Sequence, residues 1–133
     1  MAPEDEVYAR IGEEGFARLV AGFYRRVASD DLLGPMYPRH DLTGAERRLC
    51  DFLVGRFGGP QRYIARRGHP RLRMRHLPFV VDVRARDRWV ALMDAALAEA
   101  ALEPDSAATL RAFFADTASF LINRDDNRGD PPA

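Results

Sequence analysis

The sequence predicts an all-α fold, and three observations carry that prediction. Four segments repeat apolar residues at spacings of three and four, the mark of one buried helix face. Gly and Pro cluster between those segments, where helices must stop. The only string with strong β propensity, VVDV at 80–83, has no partner strand elsewhere in the chain.

The first helix is predicted over about Glu13–Ser29, with Phe16, Leu19, Val20, Phe23, Tyr24 and Val27 on its apolar face and Glu13 and Glu14 at its electropositive start. A short turn at Asp31–Leu33 ends at Gly34–Pro35, and GPMYPRHD forms a compact connector. Thr43 and Glu46 have the spacing of a capping box opening a second helix. Leu42, Ala45, Leu49, Phe52, Leu53 and Phe57 extend its stripe to the stop at Gly58-Gly59-Pro60. Residues 61–75 are Arg-rich with little periodicity, and Pro70 suits the first turn of a short helix reaching His76. A third long helix carries Trp89, Leu92, Met93, Ala96 and Leu97. A fourth opens near Asp105 or Ser106 and turns Leu110, Phe113, Phe114, Thr117, Phe120 and Leu121 inward. The end of the chain, NRDDNRGDPPA, has no apolar anchor before its last residue and reads as a tail.

The 133 residues fit one domain. Twenty arginines balance twenty acids, so no net charge draws the chain to phosphate or an anionic bilayer. No apolar stretch reaches the roughly 18 residues a membrane span needs, and the acidic N-terminus lacks the order of a secretory signal, so the expected location is the cytoplasm. One cysteine, Cys50, cannot form an internal disulfide framework or an iron–sulfur site, and its place on a helix predicts a buried, inert thiol. Three scattered histidines with that cysteine do not match a structural zinc site. No nucleophile elbow surrounds Ser29, Ser106 or Ser119, and no phosphate-binding glycine loop, flavin motif or nicotinamide motif is present.

Three sets of residues remain that could carry chemistry. His76 stands in RLRMRHLPF, between apolar neighbours and arginines; such a histidine is either a half-buried residue of a basic loop or an axial ligand to a porphyrin iron. Tyr24 and Trp89 sit on apolar stripes, either as ordinary core or as donors converging on a polar ligand. The run Arg62–Arg75, with Tyr63 and His69 interleaved, is open to reading as a solvated basic loop, an anion site or a nucleic-acid contact.

Read together, FYRRV at 23–27, MYP at 36–38, TGAERRLCDFL at 43–53, GGPQRYIARRGHPRLRMRHLPF at 58–79 and RARDRWVALM at 84–93 resemble the group II truncated hemoglobins. The resemblance runs from about Val7 to Asn123. It implies a two-over-two sandwich of helices around heme b, formed by residues 1–123, with 124–133 a flexible tail. It implies His76 as the proximal iron ligand, and Tyr24, Tyr37 and Trp89 as distal groups. Ala45 stands where many globins carry a distal histidine, and Leu49 is expected to cover the distal face. Further heme contacts are expected from Phe23, Arg48, Phe57, Tyr63, His69, Arg73, Met74, Phe79 and Met93, with Arg48, Tyr63, His69 and Arg73 toward the heme carboxylates. Phe57 lies near the position where several members carry Trp. The glycine pair usual between the first two helices is reduced to Gly12, followed by Glu13 and Glu14.

These roles imply reversible binding of dioxygen, with carbon monoxide, nitric oxide or peroxide as other ligands, in a monomer or homodimer. They imply no nucleic-acid or membrane partner. Oxygen transport, and turnover as a nitric oxide dioxygenase or peroxidase-like enzyme with an external reductase, are the functions such a site could serve.

Overall fold

A computed structural model describes residues 1–124; the predicted tail from residue 125 onward lies outside the described residues. Six α-helices form it: α1 (Val7–Val27), α2 (Leu42–Arg56), α3 (Arg62–Arg67), α4 (Leu72–His76), α5 (Val83–Ala100) and α6 (Pro104–Phe120). The long helices pair as α1 with α2 and α5 with α6, and α1 packs on α5 to join the pairs. This is the expected two-over-two arrangement. No strand forms among the described residues; Asp82, inside VVDV, instead caps α5 by accepting the Ala85 N–H at 2.8 Å.

The apolar stripes become the core. Phe16, Leu19, Val20, Phe23 and Val27 on α1 are fully buried, as are Leu53, Phe57, Met93, Leu110 and, nearly so, Phe114. Each such large side chain contributes about 2 kcal/mol by leaving water. Their rings touch in series: Phe16 on Phe57, Phe57 on Phe113, Phe113 on Phe114, Phe114 on Trp89, Trp89 on Phe23.

Five elements differ from expectation. α1 starts at Val7 rather than Glu13, because Gly12 (φ 70°, ψ 175°) kinks the chain and lets a helical turn precede the main stripe. That positive φ is what glycine supplies at low cost, so the single Gly12 suffices here. The Thr43–Glu46 capping box does not form; Asp41 caps α2, its carboxylate accepting the Gly44 N–H at 3.2 Å, and Thr43 lies inside the helix. The Arg-rich stretch after Gln61 contains α3, which buries Tyr63 alone and so shows no stripe. Phe120 was expected inward but is 57% exposed, because α6 ends there and Ala118 is the residue that turns in. In addition α4 starts at Leu72, not Pro70: Arg71 adopts a left-handed conformation (φ 47°) that breaks the helix before it.

Gly58, with φ 100°, passes so close to the Asp5 carbonyl that any side chain would collide with it. The same corner is pinned by the Tyr8 N–H donating to the Phe57 carbonyl at 3.0 Å, which fastens the chain start to the end of α2.

Candidate functional site

Between the two helix pairs lies a cavity of about 380 Å³. Its walls come from the end of α1, the turn at 33–38, one face of α2, the short helices α3 and α4, the strand-like segment 79–81, and the facing sides of α5 and α6. The walls are mostly apolar: Leu49, Phe52, Leu53, Leu72, Phe113, Phe114 and Leu121 all line it. Leu49 and Phe52 are only half-buried although they lie on the apolar stripe of α2, because they face this space rather than the core.

One wall carries aromatic donors. Tyr24 and Tyr37 meet edge-on with ring centroids 5.6 Å apart, and the Phe23 ring lies 5.5 Å from Tyr24, 6.3 Å from Tyr37 and 5.4 Å from Trp89. Phe23 is therefore the apolar floor on which all three rest. Burial pushes the Tyr37 phenol up to about 12, with Trp89 opposing it in part, and raises Tyr24 further still. Desolvation penalises the phenolate, so both phenols are neutral donors throughout the physiological range.

A pair of charges positions this wall. The Asp30 carboxylate accepts the N–H groups of Leu32 (3.1 Å) and Leu33 (2.7 Å), shaping the turn that leads to Tyr37. Its other oxygen accepts from Arg88 at 2.7 Å, and Arg88 directly precedes Trp89 on α5. Burial alone would raise the Asp30 carboxyl, but these hydrogen bonds and the guanidinium outweigh it and hold it below the ordinary range. One carboxylate thus ties the segment bearing Tyr37 to the helix bearing Trp89.

The opposite wall carries His76, the last residue of α4. Its Nδ1 lies 2.7 Å from the Leu72 carbonyl oxygen. A carbonyl can only accept, so Nδ1 bears the proton and Nε2 is left with a free lone pair. A histidine prepared in this way is suited to ligate a metal ion. The Asn123 amide donates to the carbonyls of His76 (3.2 Å) and Phe79 (3.0 Å), while its own carbonyl accepts from the Val81 N–H (2.9 Å). That one side chain staples the segment after His76 to the end of α6.

Cations stand around the cavity. Arg48 pairs with Asp41 at 3.3 Å; Arg75 donates to the Pro70 and Arg67 carbonyls and lies over the Tyr63 ring. Arg67 also lines the cavity, and Arg86 does so while donating to Ser119 and the Ala115 carbonyl.

Of the residues singled out from sequence, Tyr24, Tyr37, Ala45, Arg48, Leu49, Tyr63, His76, Phe79 and Trp89 line this one cavity. Phe23, Phe57 and Met93 do not; they are fully buried core behind its walls. His69, Arg73 and Met74 are also not among the lining residues. His69 is exposed, Met74 is 52% exposed, and Arg73 lies over Phe120 with its guanidinium carbon 5.2 Å from that ring. Arg67, Arg75 and Arg86 take the rim instead. Sequence reasoning missed them because α3 and α4 are too short to show a face. The α6 lining, by contrast, was already written in its stripe.

A second concavity, of about 600 Å³, opens on the far side of α2. Its lining is charged, and Arg62 closes it by a two-pronged ion pair with Glu13 at 2.6 and 2.7 Å. Cys50 borders it and is half-buried rather than buried; desolvation, with Glu13 and Asp51 adding to it, pushes its thiol up to about 11, which keeps it un-ionised and unreactive.

The family model for bacterial-like globins matches residues 6–123. A group 2 truncated hemoglobin of Bacillus subtilis is 40% identical over 117 residues, which is 88% of each chain. Among solved structures, the hemoglobin of the thermophilic phototroph Chloroflexus aurantiacus superposes with a TM-score of 0.86 at 41% identity, covering 92% of this chain and all of that one. A truncated oxygen-avid hemoglobin from Bacillus subtilis superposes with a TM-score of 0.84 at 40% identity, covering 88% of this chain and 98% of that one.

Proposed function

Since the chain belongs to the bacterial-like globins, with group II truncated hemoglobins as its relatives and heme b as the family's cofactor, we propose that it binds dioxygen and other diatomic ligands reversibly on an iron ligated by His76. The single observation that carries this reading is that His76, with its Nδ1 committed to the Leu72 carbonyl, and Tyr24, Tyr37 and Trp89 line the same apolar cavity.

The residues present fit the group. The walls are apolar as a porphyrin face requires, and Arg48, Arg67 and Arg75 stand at the rim where its carboxylates would need cations. When bound, heme would supply an iron able to take a diatomic ligand, with His76 as the residue that would hold it. The chain does the rest. Leu72 orients His76 and makes Nε2 the more basic atom. Leu49 and Ala45 keep the opposite side apolar, with no histidine there to compete for the iron. Neutral O–H and N–H donors then favour a ligand whose outer atom carries partial negative charge, and so slow its escape. The oxygen avidity of a relative with 40% identity supports this retention.

The test is the visible spectrum of the purified protein, ferric, then reduced, then exposed to carbon monoxide. The expected result is an intense Soret band that shifts at each step, and that is lost in His76→Ala and restored by added imidazole. A folded protein that takes up no hemin would overturn the proposal.

A further inference from the structure

Eight large apolar side chains are exposed among the described residues, and six of them fall on the segment 74–83 or at the end of α6: Met74, Leu77, Phe79 (which also lines the cavity), Val80, Val83 and Phe120. The Asn123 staple brings the end of α6 against the segment 76–81, and the Arg73 guanidinium lies over the Phe120 ring, so Phe120 stands beside this segment although it is distant in sequence. Leu77, the most exposed of the six at 68%, follows His76 directly. A patch of this kind marks an interaction surface.

The charge around it is predominantly basic. Residues 52–81 contain seven arginines and no acid. Among the described residues, Arg71 and Arg73 form no ion pair with an acid, whereas Arg56 and Arg66 each pair with one acid and Arg62 with two. Of the acids nearest to the patch in sequence among the described residues, Asp82 caps α5 and Asp87 pairs with Arg86, which leaves the exposed Asp116, one turn before Phe120, to set against Arg71 and Arg73. A second copy of the chain bound through this same face would set Arg71 and Arg73 against themselves, which disfavours a two-fold dimer here. The occupant that complements an apolar centre with a basic rim is a protein with an acidic one.

We propose that this face docks an acidic one-electron donor protein of the plant-type ferredoxin class, placing its redox centre behind His76. The proposal rests on the heme reading above. The chain carries no flavin or nicotinamide motif, so an iron that becomes ferric must draw its electron from outside. In the step, the donor's reduced centre loses one electron and the ferric iron gains it, with no bond made or broken.

The experiment uses the full heme-loaded chain with a reduced plant-type [2Fe–2S] ferredoxin as probe. Binding is titrated at low and at moderate salt, and reduction of the ferric protein is followed by stopped flow beside reduction by dithionite. The expected result is a salt-sensitive complex weakened tenfold or more in the Arg71→Glu/Arg73→Glu double variant and several-fold in Leu77→Gln. Reduction by ferredoxin falls in the same proportion, while reduction by dithionite is unchanged. Arg111→Glu, elsewhere on α6, leaves both intact. Absence of binding, or binding indifferent to the double variant and to Leu77→Gln, overturns the proposal. So does a wild-type preference, through the same residues, for phosphatidylglycerol vesicles, for self-association, or for residues 125–133, the last detected as tighter ferredoxin binding in a chain ending at Arg124. The carbon monoxide spectrum separates this failure from that of the heme reading: a protein that holds heme but ignores ferredoxin loses only the docking surface.

Discussion

Tyr24 and Trp89 stand on helices of 21 and 18 residues whose inner faces are core, whereas His76 ends a helix of five residues with none buried. The two walls of the cavity are therefore held by different forces. The donor wall is fixed by packing: Phe23 beneath it is fully buried and touches all three rings. The histidine wall is fixed by side chains reaching backbone carbonyls, from His76 to Leu72, from Arg75 to Pro70 and from Asn123 to His76 and Phe79. Packing sets a wall that exists before any ligand arrives. Hydrogen bonds at a half-exposed edge are worth less apiece, so on the proposed reading the second wall would draw more of its order from bound heme.

The largest effects expected from breaking this contrast come from the packed side. Tyr24→Phe or Trp89→Leu keeps most of the packing and removes one donor, and dioxygen dissociation measured by stopped flow should quicken by one to two orders of magnitude, or about 1.5–3 kcal/mol. A rate unchanged in both variants would mean that the packed wall only fills space. Next in size is Asn123→Ala. Loss of the staple should cost about 1–2 kcal/mol locally, read as faster amide exchange at 77–83 in the heme-free protein while α1 and α5 keep their protection. Equal acceleration everywhere would erase the distinction between the walls.

The smallest effect is one of pH. Tyr37 is raised in the folded protein from 10.0 to about 12. The folded state therefore keeps its phenolic proton where the unfolded chain has lost it, and stability falls as pH rises from 10 toward 12. Below pH 10 this group contributes no slope. A melting temperature that drops across that window in wild type, and less in Tyr37→Phe, is the expected observation; identical curves would place Tyr37 in a wetter setting.

The same contrast explains what could be read from the chain in advance. Long stripes such as Phe16 to Val27 carry their own period, so the packed wall was legible, down to Phe113, Phe114 and Thr117 on α6. The hydrogen-bonded wall was legible only as a motif. Nothing in the spacing of RLRMRH says that Arg75 turns to the cavity while Arg73 lies on Phe120, since a five-residue helix has no periodicity to read. The cap of α2 failed for a similar local reason: Asp41 and Thr43 are both good caps, and the turn at Arg39–Asp41 decides in favour of the first. Phe120 fits a stripe that the helix end cuts short.

The Asp30–Arg88 pair makes the two distal donors a single mechanical unit. The turn leading to Tyr37 hangs from the same carboxylate that anchors the residue beside Trp89, so acid that never reaches the cavity can still loosen both. Asp30 is held below the ordinary carboxylate range, so its contribution is intact above about pH 4 and is lost as pH falls through that lowered value. Ligand retention should thus acquire an acid sensitivity whose source is a hinge pin outside the pocket. In Asp30→Asn that sensitivity should vanish, read as a ligand dissociation rate that no longer quickens as pH falls below about 4.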